Sequence, residues 1–175
     1  MILRALAAGI RGFVTGFCNA LGEHFVRTIG WVRMPDFIVG GADRPYLNRW
    51  FLIPRNRWFN VYLHQFLRDD DDRALHDHPW VNLSILLIGE YKEQTIRAGG
   101  IHVRSHRKAG AFKLRWPRAS HRIELVDGRP CWTLFITGPK VRSWGFHCRQ
   151  GWVDWTKFTD PNDTGRVGPG CGDKA

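Results

Sequence analysis

The chain is poor in cysteine: Cys18, Cys131, Cys148 and Cys171 are the four among 175 residues, and no two form a CxxC pair. So sparse a set supports neither a thiolate zinc site nor a disulfide framework, and reduced thiols in a cytoplasmic protein are the simplest expectation. A long apolar run is also missing. The stretch after Arg4 is interrupted by Arg11 and no small-x-small cleavage site follows, which argues against a secretory leader, and a membrane span fails on both length and charge. No segment repeats. Acidic residues are the scarcer charge, 16 against 26 Lys and Arg, leaving a formal net charge of +10. That balance favours polyanionic or phosphorylated partners, but the excess is scattered and specifies no ligand. With no recognised motif and no basic-aromatic stripe, nucleic acid is an unfavoured partner.

Large rings are plentiful, with nine Trp and eleven Phe, as suits a sheet-rich protein of one ordinary domain. Near the N-terminus, Ile2, Leu6, Ile10, Phe13, Phe17 and Leu21 recur at helical spacing, weakened by Gly9, Gly12 and Gly16. Residues 1–45 therefore read as a helix and arm packed on the body or on a partner. Membrane contact through this helix is the less favoured alternative. From about residue 50, β-rich runs at 51–53, 58–64, 80–88, 91–97, 101–106, 111–115, 121–126, 132–137 and 151–155 alternate with Gly, Pro and Asp turns, the pattern of a sandwich or barrel over 46–158. Residues 159–175, rich in Gly and Pro, read as a loose tail.

The chemistry concentrates at His76, His78 and His121. On a strand, i and i+2 share a face, so His76 and His78 can aim two imidazoles at one spot and His121 can complete a trio. Continuing that strand to Ser84 would put Asn82 on the same face. His64 shares a face with Tyr62 and Phe66 and could line the same cavity as a proton shuttle. Arg115, Arg122 and Arg73 flank the trio as candidate clamps for an anion, although parity turns Arg122 away. Asp69 to Asp72 lacks EF-hand spacing and reads as a solvated loop. His24, His102, His106 and His147 have no partner at a defined spacing, and the tryptophans at 80, 116, 132 and 144 are expected in the core.

Two ordered motifs resemble those of the cupins: His76-x-His78-x3-Asn82-x6-Gly89, and Gly110-x6-Pro117-x3-His121. The resemblance spans residues 62–137 and implies an all-β, cupin-type double-stranded β-helix, a jelly-roll barrel, with an N-terminal helical arm. It implies one divalent transition metal on His76, His78 and His121. Asn82 stands where a cupin Glu is usual, so the ligand set is similar to that of three-histidine cupins such as the thiol dioxygenases. Fe(II) is favoured, with Zn, Ni, Mn or Cu also suited to three imidazoles. The string from Arg68 to Trp80, with 134–140 and 144–146, also resembles short cupin-like proteins of bacteria and their phages. The expected function is a non-haem oxygenase of a small anionic molecule, positioned by Tyr62, His64 or Arg115. The alternatives are a non-catalytic binding module, phage-associated or not, and a metal-dependent isomerase. A homodimer is compatible with either class.

Overall fold

A computed structural model describes residues 2–70, 74–163 and 165–172, with residues 2–5 and 11 described through their backbone alone. Helix α1 (Ile2–Phe25) runs into a π-helical turn at Val26–Gly30. The strands follow: β1 (Phe37–Val39), β2 (Leu47–Phe51), β3 (Asn60–Phe66), β4 (Leu75–His76), β5 (Asn82–Ile88), β6 (Glu90–Arg97), β7 (Ile101–Lys108), β8 (Phe112–Arg115), β9 (His121–Leu125), β10 (Cys131–Thr137), β11 (Gly145–Cys148) and β12 (Gly151–Asp154), before the short α2 (Trp155–Phe158). They form two antiparallel sheets, ordered β1-β2-β3-β10-β5-β8 and β12-β11-β4-β9-β6-β7. The central quartets β3-β10-β5-β8 and β4-β9-β6-β7 face each other while the chain passes back and forth between them. That order is the double-stranded β-helix expected from the motifs.

Alternation explains the layers. On β5, Asn82, Ser84 and Leu86 share one face and Leu83, Ile85 and Leu87 the other; on β3, Tyr62, His64 and Phe66 alternate with Val61 and Leu63. Leu47, Phe66, Leu86, Tyr91, Ile123, Leu125 and Cys131 form an apolar cluster inside the barrel. On the outside of the first sheet, Trp50, Leu63, Leu87 and Trp132 pack under Cys18, Leu21, Phe25 and Val26. Gly22 permits this approach, since a Cβ there would lie 2.6 Å from Ile88 Cγ1. The tight β5–β6 link depends on Gly89, whose φ of +85° puts it in the region glycine favours, with Cys131 Cβ 2.9 Å from where its own Cβ would be.

Several expectations are corrected. The predicted apolar stripe does not cover the body: Leu6, Ile10, Phe13 and Phe17 are exposed, and of that series Leu21 packs. A hydrogen bond from Thr15 Oγ1 to Ala109 O (3.2 Å) ties the helix to the barrel well along its length, and Cys18, Leu21 and Phe25 supply the packing face. His76 and Asn82 do not share a strand. The chain leaves the second sheet after His76 and enters the first at Asn82, because Pro79 cannot donate to a ladder. Buried Asp77 secures the crossing by accepting from Gly145 N (2.9 Å) and Trp152 Nε1 (3.1 Å). Strands β1, most of β2, and β11 were not anticipated, so the sheet extends back into the expected arm. Trp116 is exposed rather than in the core.

The expected loose tail is tied down where it is described. Thr159 bridges Val167, Gly168 N and Gly170 N donate to Phe158 O, and Cys171 is joined to Cys148 by a disulfide. Thr164 and residues 173–175 of that tail lie outside the described residues, as do Asp71, Asp72 and Arg73 of the acidic loop. The expectation of four reduced thiols is therefore wrong, and the cytoplasmic reading loses the support it drew from them. Spacing gave no warning, because the fold itself brings positions 148 and 171 together. Cys18 and Cys131 are free and buried, and burial pushes the Cys131 thiol up to about 12. Among the described residues no helix is long and apolar enough to cross a membrane.

Two outcomes follow from this packing. Leu87→Ala removes a fully buried side chain and is expected to lower stability in urea denaturation by about 2–5 kcal/mol, whereas Phe13→Ser, at a 76 % exposed position, should change it by under about 0.5 kcal/mol. Thiol titration in denaturant should count two groups (Cys18 and Cys131) before reduction and all four afterwards.

Candidate metal centre

His76 closes β4 and pairs directly with His121, the first residue of β9. His78 lies just past the strand, its backbone N donating to Pro117 O (3.2 Å), so the Pro of the second motif holds a histidine of the first. The three rings converge with centroids 4.7 to 5.2 Å apart, and one ligand nitrogen from each falls within 4.8 Å of the others. Nε2 of His78 and Nε2 of His121 are 2.9 Å apart. Two nitrogens bound at ~2.1 Å and at right angles on one ion would be ~3.0 Å apart, so the donor set fits a single divalent metal. Burial, with Arg115 and the neighbouring imidazoles, holds His78 and His121 well below the ordinary histidine range. Both are therefore neutral, the state that ligates.

Behind the imidazoles stand two carboxylates that sequence reasoning did not assign. Asp70 Oδ2 lies 3.5 Å from His76 Nδ1, and Glu93 Oε1 lies 3.6 Å from His121 Nδ1. A carboxylate at this nitrogen favours the Nδ1–H tautomer and leaves Nε2 free for an ion. Glu93 is fully buried and accepts from Arg115 Nε (3.0 Å) and Arg107 Nε (3.2 Å). Its signal was present, since Tyr91 and Glu93 share the inward face of β6. The acidic loop is not simply solvated: Asp69 accepts from Leu125 N (2.6 Å) and Asp70 from Ile123 N (3.2 Å), clipping the loop to β9. Burial raises the Asp70 carboxyl, and His76 opposes that rise.

The histidines open onto a cavity of about 420 Å³ between the two sheets. Tyr62 and His64 line its first-sheet wall, and His64 stacks beside both Tyr62 (5.8 Å) and Phe135 (5.0 Å), whose own rings lie 6.5 Å apart. Burial and the nearby Arg49 charge push His64 well below its usual range. Arg49 Nε donates to His64 Nε2 (2.9 Å), which leaves the His64 proton on Nδ1. Arg115 also lines the cavity, but as the buried ion-pair partner of Glu93; its Nη1 has no hydrogen-bond partner. Arg122 pairs with Glu124 (3.4 Å), and Arg73 lies outside the described residues. Asn82 is buried, takes its ladder place between Arg115 and Thr137, and does not line the cavity. Arg49 was missed because β2 was placed too late in the sequence. The alternation Leu47, Arg49, Phe51 was the available signal.

Replacing His76, His78 and His121 together with Ala is expected to abolish stoichiometric Zn²⁺ binding in calorimetry. Asp70→Asn should retain the site with affinity reduced about 10–100-fold. Unchanged Zn²⁺ binding in the triple variant would place the centre elsewhere.

No protein-family model and no curated protein matches the chain. Among solved structures, it is similar to Fe(II) HppE at 15 % identity, over 61 % of this chain and 59 % of that one, with a TM-score of 0.48. An uncharacterised double-stranded β-helix protein from Klebsiella pneumoniae is similar at 16 % identity over 57 % and 83 %, with a TM-score of 0.46. Oxalate decarboxylase from Lactobacillus farciminis is similar at 16 % identity over 57 % of this chain and 30 % of its own, with a TM-score of 0.45. The chain thus spans less than two thirds of both HppE and the decarboxylase. The architecture itself rests on the strand order of this molecule.

Proposed function

We propose that this protein is a metal-dependent cupin-type enzyme, a non-haem oxygenase that uses Fe(II) on a small anionic molecule. The observation that carries the reading is the convergence of three imidazoles, with no carboxylate among the ligating atoms, at the wall of the cavity between the sheets. An Fe(II) ion there would keep a charge near +2, act as a Lewis acid and supply redox chemistry toward O2 at open positions.

The protein's own groups define what can bind. Phe66, Phe135 and Phe146 line the chamber and keep it largely apolar, which strengthens any charge interaction made inside. Tyr62 and His64 form a stacked wall, and Arg49 fixes the His64 ring through its Nε2. His64 is thereby a neutral positioning group, held for orienting a ligand rather than for carrying charge. The small volume restricts the substrate to a metabolite-sized molecule.

The test is elemental analysis of purified protein followed by O2-electrode measurements on Fe(II)-loaded protein with a panel of small carboxylates and phosphates. Uptake that depends on both iron and one class of anion is expected, and is lost when His76, His78 and His121 are replaced. Stoichiometric metal without O2 uptake for any of the panel would instead favour the binding module or a metal-dependent isomerase.

A further inference from the structure

Four arginines line the cavity, and two of them have acidic partners. Arg115 is paired with Glu93, and Arg166 with Asp43 and Asp163. Arg49 and Arg55 have no carboxylate partner among the described residues. The contacts of Arg49 are its Nε bond to neutral His64 and the faces of Tyr62 (5.1 Å) and Phe37 (5.9 Å). Arg55 lies over the ring of Phe51 at 5.4 Å. The two cations are near enough for Arg55 to disfavour the charge on Arg49, and burial at the cavity wall brings Arg49 down to about 10, still protonated at neutral pH.

Two like charges sharing a partly apolar wall repel each other, and no acid among the described residues relieves them. The geometry is nonetheless fixed. Register places Arg49 opposite His64 and Phe51 opposite Tyr62, and each guanidinium carbon lies over an aromatic ring. With Nε of Arg49 already used, its two Nη groups are the donors left over, arranged as a fork that matches an oxyanion. Both residues belong to the first sheet and the turn that follows β2, whereas His76 and His121 belong to the second.

We propose that Arg49 and Arg55 form an oxyanion subsite on the wall facing the histidines, holding the carboxylate or phosphate head of a small substrate whose other end lies at His76, His78 and His121. This rests on the cavity being the reaction chamber of the metal centre. It replaces Arg115 as the anion clamp, because Arg115 is buried and its guanidinium is already engaged by Glu93.

The experiment separates the two claims by omitting metal. Inorganic phosphate and acetate are titrated calorimetrically into metal-free protein, and Zn²⁺ is titrated separately into the same variants. One anion should saturate a single site, more weakly as salt is raised, and Arg49→Gln should weaken it about 10–100-fold while leaving Zn²⁺ binding intact. Preference for phosphate or acetate identifies the head group. Arg55→Glu, at an exposed turn, provides a second reading should Arg49→Gln fail to fold, and is expected to abolish anion binding. Unchanged anion affinity in these variants, or no saturable binding of either anion, overturns the subsite. Loss of Zn²⁺ binding by the parent protein with anion binding retained would overturn the metal reading instead.

Discussion

One buried carboxylate holds both the barrel and the site. Glu93 projects from β6 into the space between the sheets, where Arg115 reaches it from β8 of the opposite sheet and Arg107 from the neighbouring β7. His121 places its Nδ1 beside the same carboxylate. A charge taken so completely out of water is tolerable only when partners surround it, and losing either side of such a pair leaves an uncompensated ion in the interior. Contact between the sheets, alignment of one ligand histidine and the charge balance of the chamber therefore share a single side chain.

That neutralisation organises the rest of the cavity. With Arg115 engaged by Glu93, the uncompensated positive character of the first-sheet wall lies at Arg49 and Arg55. The second-sheet wall carries neutral histidines backed by acids. The chamber is thus polarised from wall to wall although the chain's excess of basic residues is spread widely. Sequence-level net charge pointed toward anions, but it could not distinguish a compensated arginine from an uncompensated one, because the compensation comes from a strand 22 positions away.

The legible part of the site was the part encoded by short spacings. HxH, the later Pro and His121 mark three positions that the fold brings together, and the inward parity of Tyr62, His64 and His121 could be read from alternation. What stayed hidden depends on pairs distant in sequence. Glu93 could be placed on the inward face of β6, but its partners, like those of Asp70, are set only when β4, β6 and β9 are neighbours, and Cys148 meets Cys171 only after the tail folds back. The strand assumed to carry His76 through Ser84 failed for a local reason that was visible, Pro79, whose missing N–H ends a ladder. The helix is where the spacing placed it, but its packing face is not: periodicity reveals that an apolar face exists, not which side of the helix the barrel will meet.

The crossing between sheets has a consequence for any ion that His76 and His78 would share. His76 and His78 are separated by one residue, yet they stand on either side of the point where the chain leaves the second sheet, a point pinned by Asp77. Their mutual angle is consequently set not by strand pleat but by the crossing segment, which Asp77 and the bond from His78 N to Pro117 O hold. In coordination terms, the path of that crossing would become the bite angle of the ligand pair. An ion that demanded a different bite would have to displace buried Asp77 or the loop after β8, so the contacts that close the barrel would also resist changes in coordination geometry.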